Sequence, residues 1–276
     1  MACPAFASAE RLPEVPMDDP MTVLHAAARV TQWSLLLLAL LLTGPLLALA
    51  LGKASVRGDW QAATHRSAGL APDPAGYPDA VVQVYAGRAF GWRGAFSDHT
   101  WLVAKEAGAT RYQRYEVIGW YGGGGRSVVS VSSSRAPDAE WYGARPRLLR
   151  DLRGADAQAV IDALAPAIER YEHGSRYRAW PGPNSNTFVA DLARMIPALH
   201  LTMPSTAIGK DFLPGGTLVA RTPSGTGWQV SLFGLVGIAT GLDEGLEVNV
   251  LGLVTGIDVR HPALKLPGLG RVPGDG

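Results

Sequence analysis

The chain is poor in the residues that most often build disulfides, thiol sites and nucleic-acid interfaces. It has one cysteine, Cys3, among 276 residues, so it forms no internal disulfide and has no cysteine nucleophile in its body. Lysine and arginine total 25 against 24 acidic residues, and no dense basic run occurs. A net charge of +1 gives no reason to expect a nucleic-acid partner. The cysteine-free body also suits an oxidising compartment.

Metal and cofactor signals are equally scarce. The six histidines are scattered, and no two have a metal-ligand spacing such as i, i+4. The run Gly122–Gly125 lacks the GK[ST] ending of a phosphate loop and does not lead into a helical pattern, so it predicts a turn. We therefore predict no metal site and no cofactor.

One long hydrophobic run stands out in this otherwise mixed sequence. Residues 33–51, WSLLLLALLLTGPLLALAL, are 19 residues without a charge, and about 20 apolar residues span a bilayer as a helix. The run predicts a transmembrane helix or signal anchor. Cleavage stays an alternative, because Ala48-Leu49-Ala50 has the small-x-small form of a cleavage site, although the long acidic segment before it argues against a signal peptide. Translation from Met21 instead of Met1 would make the segment more signal-like.

The run divides the chain into parts with different composition. Residues 1–32 are predicted to be an N-terminal cytoplasmic segment, and residues 52–79, with three prolines and several glycines, a linker. Residues 80–272 are predicted to form one globular domain. Because long domains cross a membrane largely regardless of charge, we expect a single-pass inner-membrane protein with a periplasmic domain.

The periodicity of the body predicts an α+β fold, with an antiparallel sheet packed against a few helices. Alternation predicts a meander first and two helices after it, and Pro166 is expected to kink or divide the first helix. The Gly-rich region after residue 205 is β-like, and its Pro/Gly-rich tail is expected to lie over the surface. The predicted strands are 80–90, 98–105, 112–121 and 126–133, and the predicted helices are 155–172 and 186–196.

The stretch RAWPGPNSNTFVADLARMIPAL, residues 178–199, marks a helix start. Asn184, Ser185 and Asn186 are favoured N-cap residues, so a plain cap explains them. The first turn of a helix also has free N–H groups and a positive dipole end, which stabilise an anion. Ser185 is therefore a candidate nucleophile if a base faces it.

His99 is the candidate base. Strand alternation puts His99, Trp101 and Val103 on one face, and Thr100 with Leu102 on the other. Its orienting partner would come from the next predicted strand, as the carboxylate of Glu116 or the hydroxyl of Tyr115. The choice depends on strand register, which the sequence leaves open.

Further polar residues could line a cleft beside this helix. We predict cleft positions for Trp180, Asn184, Asn186, Lys210 and Asp211, with the alternative that Lys210 and Asp211 simply face water. A second acidic cluster, Asp243, Glu244 and Glu247, indicates a solvated turn, with a cation or amine site as the alternative.

Many short blocks, in order along the chain, resemble one known family. They include AVVQVYAGRAFGWRGAFSDHTW, YEVIGW, WYGARP, WPGPNSNTFVA, AIGKDF, SGTGWQVSL and EGLEVNVLGLVTGID. Together they resemble a bacterial family of membrane-anchored proteins catalogued as domain of unknown function 3750, over about residues 60–272. The resemblance implies an envelope protein with an N-terminal hydrophobic segment, and it implies no activity.

The layout also resembles circularly permuted papain-like folds, the NlpC-like and lecithin:retinol acyltransferase-like groups. There a strand histidine comes first, and a helix-starting Asn-Cys followed by x-x-Phe-Val comes later. The resemblance puts the nucleophile position on Ser185, the base on His99 and the third polar group near Glu116. A serine where those folds have cysteine is a weaker nucleophile at neutral pH.

Two functions follow from these signals, and the sequence does not decide whether the protein is an enzyme. The first is a non-catalytic module of the envelope that binds a lipid or a peptide in a papain-like cleft. The alternative is a serine-dependent amidase, esterase or acyltransferase that acts on envelope peptides or lipids, with Ser185 as nucleophile and His99 as base. The membrane, through the N-terminal helix, is the one partner that both functions share.

Overall fold

The computed structural model describes residues 20–54, 58–61, 63–122 and 126–274. The predictions for the segment before residue 20 and for Gly123–Gly125 lie outside the described residues. The chain divides into two compact units, residues 1–40 and residues 41–276. Each unit is described by itself.

The hydrophobic run forms part of a long helix, α1, which spans Pro20–Ala50. The helix is long and apolar enough to cross a membrane. In the first unit its leucines are exposed, as at Leu36 and Leu40. Within the second unit the helix has a buried stripe at Leu41, Gly44, Pro45 and Ala48, a spacing that lies on one helical face.

The first sheet is the antiparallel meander that the alternation predicts, with one further strand. Its order is β4-β3-β2-β1-β5. The fifth strand was not predicted, because its sequence RLLRDLR has leucines at a helical spacing; it pairs with β1 instead. The strands are β1 Val81–Arg88, β2 Asp98–Lys105, β3 Gln113–Val117, β4 Val129–Ser132 and β5 Arg147–Arg153.

Two helices cover one face of this sheet. The first, α2, spans Gly154–Glu169 and runs through Pro166 undivided, which corrects the expectation that the proline could divide it. Proline lacks the N–H of a helical bond, but here only three residues follow it within the helix. The second, α3, spans Ser185–Met195.

Both faces of the first sheet are buried, and apolar side chains make up most of each. The face toward α2 and α3 packs Leu102 against Phe188 and Leu164, all at most 2 % exposed. The opposite face is aromatic, with Tyr85 and Trp101 fully buried and packed with Trp141. The central strands β1 and β2 therefore have the near-continuous burial of a sheet that is covered on both sides.

The second half of the chain builds a seven-stranded antiparallel meander in which each strand pairs with the next. The tail, for which no strand was predicted, forms the last two strands, because its residues 263–266 and 270–272 continue the ladder. The strands are β6 Val219–Arg221, β7 Gly227–Leu232, β8 Val236–Gly241, β9 Gly245–Val250, β10 Leu253–Asp258, β11 Ala263–Leu266 and β12 Gly270–Val272.

The two faces of this second sheet are inverted relative to an ordinary soluble sheet. Its inner face buries polar groups such as Gln229, Glu247 and Asn249, each less than 5 % exposed. Its outer face exposes Val230 and Ile238, each more than half exposed. Two antiparallel sheets and three helices among the described residues confirm the predicted α+β class.

Candidate functional site

The start of α3 is a fully formed capping box. Asn184 Oδ1 accepts hydrogen bonds from the backbone N–H groups of Asn186 and Thr187, at 2.9 and 3.2 Å. Thr187 Oγ1 in turn accepts from the backbone N–H of Asn184 at 3.1 Å. The prediction of a helix cap at this stretch is confirmed, and the cap occupies first-turn N–H groups that an oxyanion would otherwise use.

The two asparagines also tie α3 to its surroundings. Asn184 Nδ2 donates to the carbonyls of Ala179 and Ile208, and Asn186 Nδ2 donates to those of Asp98 and Ile208, all within 2.8–3.0 Å. Gly209 has a φ of 101°, and a side chain there would overlap Asn184. The amide groups of both asparagines are therefore engaged within the protein, where they hold the 206–211 loop against the helix.

Thr100 is the β2 side chain that faces the first turn of α3. Its Oγ1 lies 2.9 Å from Asn186 Oδ1 and 3.4 Å from the carbonyl oxygen of Ser185. Neighbouring side chains of a strand point to opposite faces. The ring of His99 therefore lies on the face of the sheet that is turned away from α3.

His99 belongs to a buried aromatic and charged cluster on that face. Its ring stacks on Trp141, with centroids 3.6 Å apart and planes 10° apart. Its Nε2 lies 3.1 Å from Glu116 Oε2 and must donate, since a carboxylate only accepts. Arg114 donates to the same oxygen at 2.9 Å and stacks over Trp101 at 4.1 Å.

The charges of this cluster follow from its burial and its pairing. Burial alone would raise the pKa of Glu116, but hydrogen bonds from His99 and Arg114 and the charge of Arg114 lower it. Burial lowers the pKa of His99, and Glu116 opposes that effect only in part. We therefore assign a neutral imidazole beside an Arg114–Glu116 ion pair at neutral pH.

The structure thus brings together some of the predicted catalytic residues and separates others. His99 and Glu116 are hydrogen-bonded, as the proposed base and orienter would be. Tyr115 pairs with Leu102 and packs in the core on the α3 side of the sheet, so it does not orient His99. No hydrogen bond joins Ser185 to His99 among the described residues, and the two belong to opposite sides of the sheet.

Lys210 and Asp211 lie in a buried ionic network between the 206–211 loop and the inner face of the second sheet. Lys210 Nζ contacts Asp211 Oδ1 at 3.0 Å and Glu247 Oε2 at 2.6 Å. Lys265 Nζ contacts the other oxygen of Glu247, also at 2.6 Å. Burial disfavours the Lys210 ammonium, yet the two carboxylates outweigh it and raise its pKa.

This network changes the interpretation of the acidic cluster. Glu244 and Glu247 are 3 % and 2 % exposed, so the expected solvated turn is wrong for both. Glu247 instead binds amines, those of two lysines from its own chain. Trp180 lies nearby at the surface, 49 % exposed, and its Nε1 donates to the carbonyl of Leu251 at 2.8 Å.

A large cavity of the second unit lies elsewhere. It has a volume of about 1330 Å³ and begins at Gly52–Ala54, directly after α1. Its walls come from β1, from residues 141–149, from residues 202–205 and from the last strands of the second sheet. Its charged lining is Lys53, Arg88, Arg145, Arg147, Arg260, Lys265 and Arg271, with Asp59, Asp243 and Asp258.

The cavity carries an excess of positive charge. Seven cationic and three carboxylate side chains line it, and two carboxylates outside the lining, Asp98 and Glu247, pair with lining cations, so at least two positive charges remain in excess. Arg88 and Arg147 share one carboxylate, Asp98, at 3.7 and 2.6 Å. Burial and the like charge of Arg147 lower the pKa of Arg88, although Asp98 opposes them. Lys53 and Arg145 have no ion-pair partner among the described residues.

Sequence reasoning missed this cavity. Its cations are spread from residue 53 to residue 271, with no local spacing that would mark them as a set. The block WYGARP carries Arg145 but reads as an ordinary turn. No group of three or more His, Cys, Asp or Glu side chains in the described part of the chain could hold a metal ion.

The fold and the cavity define a class of protein: a two-sheet α+β domain that follows one helix of membrane-spanning length. Residues 79–212 match the model of a protein family described as protein of unknown function (DUF3750). These residues therefore belong to the family that the sequence blocks indicated. The match covers the first sheet, both of its helices and the 206–211 loop, a shorter range than the expected 60–272.

No curated protein and no solved structure matches the chain. The similarity to permuted papain-like folds therefore stays a prediction.

Proposed function

We propose that the protein is a membrane-anchored, non-catalytic module of the bacterial envelope that binds an anionic lipid in its cationic cavity. The N-terminal helix is the anchor, and the domain lies on the periplasmic side of the inner membrane. The observation that carries the proposal is the cavity of about 1330 Å³ with its excess of positive charge.

The chemistry of the lining suits a phosphate or carboxylate head group. Guanidinium groups bind such anions with two parallel hydrogen bonds, and they do so more strongly when partly buried. Arg145 and Lys53 have no carboxylate partner in the described residues, so an incoming anion does not have to displace one. Arg88 and Arg147 share a single carboxylate and therefore retain an attraction for a second anion.

The position of the cavity favours a lipid over an acidic peptide. Its wall includes Gly52, Lys53 and Ala54, which come directly after the last residue of the hydrophobic run. A cavity that begins where the chain leaves a bilayer is close to lipid head groups, some of which are anionic. An acidic peptide would satisfy the same charges, and the experiment below separates the two ligands.

Serine-dependent catalysis is less well supported. A base must lie within hydrogen-bond reach of the nucleophile, directly or through one water. The side chain that β2 presents to the first turn of α3 is Thr100, while His99 donates to Glu116 on the other face. A fluorophosphonate probe that labels the wild type but not Ser185→Ala would favour catalysis over the binding module.

The binding proposal is tested with the full chain in detergent micelles. A short-chain phosphatidylglycerol is titrated while tryptophan fluorescence is followed, because Trp141 lines the cavity. We expect saturable binding that weakens as salt is added. Removing Arg145 with Arg145→Ala should weaken binding about tenfold, equivalent to about 1.4 kcal/mol.

The matched control is Arg111→Ala, an exposed arginine outside the cavity lining. This variant should bind as the wild type does. A short-chain phosphatidylcholine should bind at least about tenfold more weakly than phosphatidylglycerol. Equal affinity for both lipids would refute the proposal, and so would an equal loss of phosphatidylglycerol affinity in Arg145→Ala and Arg111→Ala. Tighter binding of an acidic peptide than of phosphatidylglycerol would assign the cavity to peptides.

A further inference from the structure

The outer face of the second sheet is a largely apolar surface built in rows. The register aligns Val230, Ile238 and Val248 across three strands, and Leu232, Val236 and Val250 across the same three. A third row runs across six strands. It consists of Trp228, Thr240, Leu246, Ile257, Leu264 and Val272.

The three rows contain no charged side chain on β7 to β12. Arg221 extends the longest row at the edge strand β6, where its guanidinium stacks over Trp228 at 4.3 Å. The exposed fractions of the central residues Val230, Val236 and Ile238 are 55 %, 51 % and 54 %. Contiguous apolar patches of this kind mark contact with a membrane or another protein rather than with water.

The turns at the ends of the strands continue the apolar surface. Phe233 and Leu251 are each more than half exposed at the β7–β8 and β9–β10 turns, and both adopt left-handed backbone conformations. Leu242 and Val259 are exposed at the turns of the opposite end, at 69 % and 61 %. Bulky apolar residues seldom occupy such turn positions in water-soluble proteins.

The polar residues of the same strands face inward, and Ala239 and Val254 are buried apolar residues among them. Gln229, Ser231, Glu247, Asn249 and Lys265 alternate with the exposed apolar residues, and each is at most 5 % exposed. In water, one-residue alternation normally puts the apolar set inside. Here Asp211 and Lys210 hold the polar side chains on the inner face through hydrogen bonds and ion pairs. The alternating apolar side chains must therefore lie on the outer face.

The C-terminal part of α1 meets this sheet at the turn between β11 and β12. Gly44 lies so close to this turn that a Cβ there would overlap the carbonyl oxygen of Pro267. A Cβ at Gly268 would overlap the carbonyl oxygen of Ala95 and would lie 2.8 Å from the backbone nitrogen of Pro45. The contact falls inside the uncharged run 33–51, seven residues before its end, which is about 10 Å along a helix.

We propose that the outer face of the seven-stranded sheet lies against the lipid bilayer. If the run 33–51 crosses the hydrocarbon core, the β11–β12 turn lies about 10 Å below the lipid boundary on the side of the domain. An apolar surface that continues from that turn is then in contact with acyl chains and not with water. Interfacial protein surfaces enter the head-group and acyl boundary by about 5–10 Å, which agrees with this depth.

The inference rests on the proposed membrane anchor, but not on the ligand of the cavity. Trp228 and its stacked Arg221 fit a membrane boundary, because tryptophan and arginine side chains place an apolar body in lipid and a polar group at the head groups. A second copy of the chain, packed face to face, is the alternative occupant.

The test measures lipid accessibility at single spin-labelled sites of the full chain in lipid nanodiscs. The one native cysteine is replaced by Cys3→Ser, and labels are attached at Ile238→Cys on the outer face, Leu36→Cys on α1 and Arg111→Cys on an exposed loop. All three positions are exposed, so labelling should not disturb the fold. Collisions with oxygen, which enters lipid, are compared with collisions with a water-soluble nickel complex.

We expect collisions with oxygen to dominate at Ile238→Cys and Leu36→Cys, and collisions with the nickel complex to dominate at Arg111→Cys. If collisions with oxygen dominate at Leu36→Cys but collisions with the nickel complex dominate at Ile238→Cys, the inference is overturned and the anchor stays intact. Dominant collisions with the nickel complex at Leu36→Cys would instead refute the proposed membrane anchor. Dipolar broadening at Ile238→Cys that disappears on dilution with unlabelled protein would assign the face to a second copy and overturn the inference.

Discussion

The two sheets of the second unit differ in the side chains that they bury and expose. The five-stranded sheet buries apolar residues on both faces, with Phe188 on one side and Trp101 on the other, both 0 % exposed. The seven-stranded sheet buries Glu247 and Gln229 and exposes Ile238. Both sheets are antiparallel, so strand direction is not the source of the difference.

The comparison shows that one chain can hold two sheets together by different forces. Apolar burial near 25 cal/mol per Å² stabilises the first sheet and its helices. The second sheet is attached through charge-assisted hydrogen bonds among Lys210, Asp211 and Glu247, which fix its register and inner face. Such a network is specific in geometry, but it becomes costly when one member is removed.

The largest expected effect comes from a matched pair of phenylalanine truncations. Phe188→Ala removes a fully buried ring from the first sheet's core, and we expect it to lower the free energy of unfolding by about 4 kcal/mol. Phe233→Ala removes an exposed ring beside the second sheet's outer face, and we expect a change below about 0.5 kcal/mol. Chemical denaturation in detergent measures both.

A loss of about 2 kcal/mol or more in Phe233→Ala would contradict the contrast between the sheets. It would mean that the outer face is packed within the protein itself.

The second prediction concerns the ionic network that attaches the second sheet to the 206–211 loop. Lys210→Met leaves the carboxylate of Asp211 without its lysine partner and Glu247 with only one of two, so we expect a loss of about 3 kcal/mol. The control Lys53→Met changes an exposed lysine that has no ion-pair partner among the described residues, and should cost less than about 0.5 kcal/mol.

Hydrogen exchange locates the effect of Lys210→Met. The amides of β7 to β10 should lose protection more than those of β1 and β2, because only the second sheet depends on the network. Equal loss of protection in both sheets would show that the network stabilises the unit as a whole and does not serve the second sheet in particular.

The smallest effect is a pH dependence confined to the first sheet. Burial lowers the pKa of His99 below its ordinary value of about 6.5. As the pH falls below about 6.5, the unfolded chain therefore takes up a proton that the folded chain does not. Stability falls in that range, by at most about 1.4 kcal/mol per pH unit for one group. The contribution of Glu116 is lost at lower pH, between about 4.5 and its lowered folded pKa.

The measurement is the difference in unfolding free energy between wild type and His99→Gln from pH 8 to 4.5. Burial raises the pKa of Asp191 to about 7, although Arg194 opposes this shift. Asp191 therefore changes the stability in the opposite direction, and its effect cancels when the unfolding free energy of the variant is subtracted from that of the wild type. We expect the stability of the wild type to fall relative to that of the variant as the pH drops through 6.5. Parallel pH profiles for the two proteins would show that His99 does not remain neutral in the fold.

Much of the first sheet could be predicted from its sequence. Strict alternation in DHTWLVAK located β2 at its observed bounds and assigned Thr100 and His99 to opposite faces. The fifth strand escaped prediction because RLLRDLR has no alternating pattern, and its pairing with β1 depends on residues about 70 positions away. The tail strands β11 and β12 were not predicted, because short segments bounded by glycine and proline form strands only when a neighbouring strand is already there to pair with them.

The candidate sites were less predictable than the fold. The cap at Asn184 is local and was readable from residue types, since an N-cap depends on residues within one turn. Which β2 side chain meets that cap depends on how the helix lies on the sheet, and the structure puts Thr100 there. The charged groups of the cavity come from six separate segments, so no window of the sequence contains them.

By itself, the sequence determined the long apolar helix, the α+β class, the cap of α3 and the family of residues 79–212. Each of these depends on local periodicity, residue type or ordered sequence blocks. Only the tertiary structure decided that the polar set of the second sheet points inward, because both alternating sets are compatible with a strand until something binds one of them. Asp211 and Lys210 bind the polar set, and the apolar set is thereby left facing outward.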